Sequence, residues 1–279
     1  SALLLAVCLL YLSLFMHWLG MVWWVIPLFL IIYFAIAIAI ARMRAELGPP
    51  AHDLHYGGPD QMLPKFFGSQ HLGKPTLVAL ALMWFFNRAY RGHAIAPSLE
   101  GYKIAQQTRM SARRMLLAMV IALVIGIGGG FWSMLHVGYK YGAEASILGP
   151  AAHFGREVYT HAHTWVGTPE AAKTGATIAT GVGVATVLFL AAMRMQFAWW
   201  PFHPVGYAVS GSWSMEQLWF PIFLSWLIKW TILRYGGSKA YKKAIPFFIG
   251  LVLGEFVVGN YWDLHGALFG VPTYDFWPY

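Results

Sequence analysis

The chain has 279 residues, is 58% hydrophobic, 17% aromatic and only 11% charged, and has a mean hydropathy of +0.56. An ordinary soluble domain is about 25% charged, so the composition excludes that class and implies an all-α, polytopic transmembrane helix bundle in a lipid bilayer. The alternating segments of about ten residues that mark a membrane β-barrel are absent, and the net charge of +8 fits basic loops facing cytoplasm and anionic lipid, with no nucleic-acid partner.

Ser1 to Ala41 contains no Asp, Glu, Lys or Arg, and a single helix of that length would be about twice the hydrocarbon thickness. The stretch therefore predicts a partial span over 2–17, a turn near His17 to Gly20 and a full span from Met21 to Ala41. "RMRAELGPP" (42–50) stops that helix with two arginines, a Gly and two prolines. Residues 42–75, rich in Pro, Gly and His, read as a long loop. Residues 75–87 ("PTLVALALMWFFN") are apolar but too short for a regular span, which predicts an interfacial or re-entrant helix or a short tilted span. Residues 98–114 read as a basic amphipathic segment leading into a long helix over 115–138. A loop with helical pieces follows over 139–173, then spans over 174–193, 215–233 and 244–262. The count is about six spans plus interfacial helices, in a single membrane domain over 1–279.

The positive-inside rule puts 42–114, with ten Lys and Arg, in the cytoplasm and 139–173, with Lys140, Arg156 and Lys173, on the opposite side. Residues 234–243 would then lie outside, although Arg234, Lys239, Lys242 and Lys243 belong inside. One further crossing would restore the balance, and the free segment is 197–212, "FAWWPFHPVGYAVSGS". Its two prolines forbid a regular helix, so it reads as a broken or re-entrant segment, tolerated at membrane depth where protein or a water-filled cavity covers it. A topology in which the charge rule fails at one loop is the alternative. The expected location is a bacterial inner membrane.

Four residues are candidates for transport or coupling. Glu255 sits in the apolar run "IPFFIGLVLGEFVVGNYW" (245–262), where a charge is costly and is normally turned toward a bundle interior or cavity. Gly250 and Gly254 at GxxxG spacing let a neighbour approach closely. Lys229 and Arg194 lie near span ends, where they could pair with Glu255 or snorkel to the interface. His203 lies in the broken segment among aromatics. As a metal candidate, His153, Glu157 and His161 recur at i, i+4 and i+8, which stacks them on one helical face with ligand chemistry for a transition metal. Three such groups span about 12 Å, so a pair is easier to bring to one ion than all three. No Walker loop, Rossmann fingerprint, HExxH, CxxC or nucleophile elbow is present, and no enzymatic activity is expected. No particular cofactor is implied. Cys8 stands alone, so no intramolecular disulfide can form.

Four stretches in this order, "RMRAELGPP" (42–50), "NRAYRGHAIAPSLEGYKIA" (87–105), "WWPFHPVGYAVS" (199–210) and "LIKWTILRYGGSKAYKKAIPFFIGLVLGEF" (227–256), carry a family resemblance. The sequence resembles the C-terminal part of an uncharacterised family of large, polytopic bacterial and archaeal membrane proteins, domains of unknown function distantly similar to the oligopeptide-transporter superfamily. That resemblance carries no known functional residues. It implies that the chain is a piece of a longer protein, as does the direct entry of Ser1 into an apolar segment. The expected function is a transporter-like membrane protein, proton- or ion-coupled, of unspecified substrate. The alternative is a structural or accessory subunit packed in a larger respiratory or photosynthetic membrane complex. Partners beyond lipid are then other membrane subunits or a missing N-terminal half.

Overall fold

A computed structural model describes residues 2–47, 57–88, 90, 93–142 and 150–273. Among the described residues the structure is all-helical, and four helices are long and apolar enough to cross a membrane: Val25–Ala45, Ala112–Tyr141, Thr174–Gln196 and Trp213–Phe269. The chain divides into two compact units, Ser1–Glu216 and Gln217–Tyr279.

The first unit is organised around two opening helices, α1 (Ala2–Trp18) and α2 (Val25–Leu47). They part at Gly20, whose φ of +104° suits glycine and where a Cβ would stand 3.1 Å from Pro75. Ile26, Phe29, Tyr33, Ala37 and Ile40 are all buried, and their spacing of three and four residues places them on one helical face. That face packs against residues of the region read as a polar loop, so α2 is half protein-covered where a free span would be ringed by lipid.

The loop expectation for 42–75 holds only in part, since helices α3 (Pro59–Phe67) and α4 (Ser69–Leu72) form within it and residues 48–56 lie outside the described residues. Pro59 opens α3 at a position where its missing N–H costs nothing, and Asp60 in the first turn complements the helix dipole. Gly68 and Gly73, at φ +79° and +73°, separate the pieces. The segment read as interfacial becomes two short helices, α5 (Lys74–Leu82) and α6 (Trp84–Asn87). Leu77, Ala79, Leu80, Met83 and Trp84 are each at most 2% exposed, so much of its apolar character serves the protein core, while Val78 and Phe85 stay exposed.

Next comes α7 (Ile95–Gln107), which packs on α2 and is tied to its end by an Arg44–Glu100 ion pair of 2.6 Å. Ser111 caps α8 (Ala112–Tyr141) by accepting from the Arg114 N–H at 3.3 Å. Within the expected extramembrane loop, α9 (Pro150–Gly167) docks on α5. The Lys173 N–H then donates to the Lys65 carbonyl at 2.8 Å, which anchors the start of α10 (Thr174–Gln196) beside α3. The broken segment 197–212 contains a seven-residue helix, α11 (Pro204–Ser210), which packs back on α10.

The last helix, α12 (Trp213–Phe269, 57 residues), breaks at Gly237 (φ 65°, ψ −172°), a conformation open to glycine. The expected spans 215–233 and 244–262 fall on its two arms. In the second unit the arms border a groove of about 500 Å³ lined by Ile228, Lys229, Ile232, Tyr241, Phe248 and Val252 among others.

Candidate functional site

A buried polar cluster forms where α3, α6 and the turn after α6 meet. Asp60 is 0% exposed, Asn87 2% and Tyr90 2%. Asn87 Nδ2 donates to Asp60 Oδ1 at 2.8 Å, across 27 residues of sequence. Gly58 makes room for this contact, because a Cβ there would collide with Asp60 Oδ1 and stand 3.0 Å from Asn87 Cβ. Tyr90 follows through a turn in which its N–H donates to the Asn87 carbonyl at 3.2 Å. Its backbone sits at φ 53°, a left-handed conformation that costs a bulky residue about 1–3 kcal/mol. The strain places its ring 5.5 Å from Tyr33 in a stack that also includes Phe86 at 4.5 Å from Tyr33.

Asp60 lies outside the four candidate spans, yet burial pushes its carboxyl up to about 6, against the opposing pull of Asn87, local backbone N–H groups and Gln61. Burial, followed by the charges of Asp60 and Tyr33, also raises the Tyr90 hydroxyl, so it stays neutral. Among the described residues no lysine or arginine pairs with Asp60, and Asp60 Oδ2, Asn87 Oδ1 and Tyr90 Oη have no hydrogen-bond partner. Such a site can hold a proton on Asp60, or a bound group able to satisfy several oxygens at once.

A second polar group supports the first. Trp84 Nε1 donates to Glu157 Oε2 at 3.2 Å, and Arg88 Nε stands 4.0 Å from the same oxygen. Gln61, next to Asp60, places Nε2 3.3 Å from His161 Nε2. Because the amide nitrogen is a donor, the imidazole accepts there and carries its proton on Nδ1. Burial lowers the His161 pKa; Glu157 opposes this and Lys65 reinforces it. The ring stacks 5.4 Å from Trp165 and meets Trp84 edge-on at 5.6 Å. The expected helical face of His153, Glu157 and His161 thus exists on α9, and its inner two members fasten α9 to α3 and α6. His153 is exposed. Among the described residues no three His, Cys, Asp or Glu side chains are grouped to share a metal ion.

Each of the other singled-out residues has its own local setting. Glu255 is exposed on the second arm of α12 and makes no ion pair or side-chain hydrogen bond among the described residues. Gly250 and Gly254 have nothing within 4 Å of where a Cβ would stand. Lys229 lies over the Tyr241 ring at 5.5 Å. Arg194 is exposed in the last turn of α10. His203 caps α11, its Nδ1 accepting from the Val205 N–H at 3.1 Å. Sequence reasoning passed over Asp60, Asn87 and Tyr90. The signal available was "GPD" at 58–60, a helix start with Pro at N1 and an acid in the first turn.

Helices of this length and apolarity define a helical membrane-type protein, with a buried single-carboxylate cluster beside its spans. Within that class, the chain belongs to the family described as Family of unknown function (DUF6785), which it matches over residues 1–278. Neither a curated protein nor a solved structure matches the sequence.

Proposed function

We propose that the protein is a transporter-like integral membrane protein, proton- or ion-coupled, with Asp60 as the group that carries the coupling charge. The observation that supports this reading best is Asp60 itself. A fully buried carboxylate without a countercharge is costly; among the described residues Asp60 has none, and a fold that keeps such a group beside orphan oxygens and a strained tyrosine supports a purpose other than stability. In this reading Glu255, Lys229, Arg194 and His203 are secondary. Glu255, exposed on an apolar arm, would face an aqueous path or a partner, and its coupling role passes to Asp60.

The topology proposed is six crossings, made by α1, α2, α8, α10 and the two arms of α12, in a bacterial inner membrane. The 197–212 segment would lie at the membrane as a broken element. Peptides are the first substrates to try, as the resemblance to the oligopeptide-transporter superfamily would imply.

The test is charge translocation by the full chain in proteoliposomes on a solid-supported membrane, challenged with peptide and amino-acid pools under a proton or cation gradient. A current elicited by one pool, lost in Asp60→Asn with folding retained, is the expected result. No current from any pool in either gradient would overturn the reading.

A second reading, an accessory subunit of a larger membrane complex, is favoured by one observation. No described residue of α8 or α10 is buried, and Gly126, Gly128, Gly129 and Gly130 of α8 have nothing within 4 Å of the place a methyl group would occupy. Small-residue faces of that kind accept close helix partners. Co-purification of other subunits at fixed stoichiometry in mild detergent would favour it; a monodisperse single chain would count against it.

A further inference from the structure

The orphan oxygens of the Asp60 cluster are Asp60 Oδ2, Asn87 Oδ1 and Tyr90 Oη. Bulk water cannot serve them, because none of the three residues is more than 2% exposed. The geometry points to a binding site for one monovalent cation, held by Asp60 Oδ2, Asn87 Oδ1 and Tyr90 Oη. This names the coupling ion of the function proposed above and rests on that reading for its purpose, while binding itself requires no transport.

Each oxygen is presented by something independent of a ligand. Asn87 commits its amide nitrogen to Asp60 Oδ1 at 2.8 Å, so its carbonyl oxygen must face elsewhere, and the amide orientation follows from the hydrogen bond. Tyr90 is held by its φ of 53° and by stacking on Tyr33, and its hydroxyl feels the Asp60 charge. Asp60 is fixed at the start of α3 by Pro59 and by the space Gly58 leaves. Hard oxygen donors of this kind suit alkali cations and not soft metals.

Charge selects the valence. Among the described residues of the site, Asp60 contributes one negative charge, while Asn87, Gln61 and the protonated Tyr90 contribute none. One monovalent cation leaves the buried site neutral, whereas a divalent ion would leave an uncompensated positive charge in low dielectric. A water molecule could donate to two of the oxygens but would leave the carboxylate charge uncompensated. A proton on Asp60 removes that charge, so proton and cation compete for the same place.

Among the described residues, the titratable groups near Asp60 are Tyr90 and, stacked beyond it, Tyr33 of α2 and His93. Lys65, Arg88, Glu157 and His161 belong to the neighbouring polar group on α9 and its supports.

The test uses the purified full chain in detergent at pH 8 and constant ionic strength. Thermal unfolding is followed as choline chloride is replaced by sodium, potassium or ammonium chloride, and equilibrium binding of radioactive sodium is measured in parallel. At least one of the three small cations is expected to stabilise the protein saturably over choline, with one site per chain. The effect should vanish in Asp60→Asn and Asn87→Leu and weaken in Tyr90→Phe. Apparent affinity should fall about tenfold per pH unit below about 6, as the proton competes. Identical unfolding in all four salts, or stabilisation retained in a folded Asp60→Asn protein, would overturn the proposal. Should Asp60→Asn fail to fold, the wild type decides alone, because cation affinity unchanged between pH 5 and 8 is equally fatal. Cation binding without any substrate current leaves the site standing and sinks only the transport reading.

Discussion

Replacing Asp60 with asparagine keeps nearly the same shape and removes a buried carboxylate. The wild-type group is raised from 3.8 to about 6 by burial. With about 1.4 kcal/mol per pH unit, the ionised native carboxylate costs about 3 kcal/mol relative to the unfolded chain. The native state keeps its proton to higher pH than the unfolded state does. Stability from that proton is therefore fully present below about pH 3.8 and is lost as pH rises through about 6. In choline buffer at pH 8, with no small cation to neutralise Asp60, Asp60→Asn should be more stable than wild type by up to ~3 kcal/mol. Tryptophan-fluorescence unfolding of both proteins from pH 4 to 8 measures the difference, and the wild-type fall in stability across that window should flatten in the variant. An Asp60→Asn protein that is no more stable at pH 8 and keeps the wild-type pH slope would refute the reasoning.

Gly58→Ala should destabilise by about 1–3 kcal/mol, since the added methyl collides with Asp60 and crowds Asn87; unfolding curves check the stability, and the sodium titration should weaken with it. Trp84→Phe leaves the Glu157 carboxylate without its indole donor and should cost about 1–3 kcal/mol, read as a lower unfolding midpoint and faster proteolysis within α9. His161 is held below its ordinary value by burial, so its contribution is present above about pH 6.5 and is lost as pH falls below it. That trend opposes the one from Asp60, and comparing Asp60→Asn with the Asp60→Asn, His161→Gln double variant isolates it: the double variant should lose less stability between pH 7 and 5.

The long uncharged runs were legible because a span is a local property, set by about 20 residues that avoid charge. The helical alignment of His153, Glu157 and His161 is local in the same sense and follows from spacing along the chain. The Asp60 cluster was not legible, because its burial is supplied from a distance. Asn87 reaches Asp60 from 27 residues away, and α3, which carries Asp60, packs against α2 and α5. Read alone, 42–75 is polar and rich in Pro and Gly, and nothing local separates a solvated Asp from one at 0% exposure. The burial of much of the run 75–87 was not legible for the complementary reason: short apolar segments look alike whether lipid or protein covers them. Glu255 drew notice because it interrupts an apolar helix, whereas Asp60 interrupts nothing.

The most direct test of the central claim, that Asp60 carries a coupling charge, is charge translocation in proteoliposomes under a sodium or proton gradient, compared between wild type and Asp60→Asn. A substrate-dependent current in the wild type that disappears in the folded variant is the predicted result. A current that persists undiminished in Asp60→Asn would contradict it.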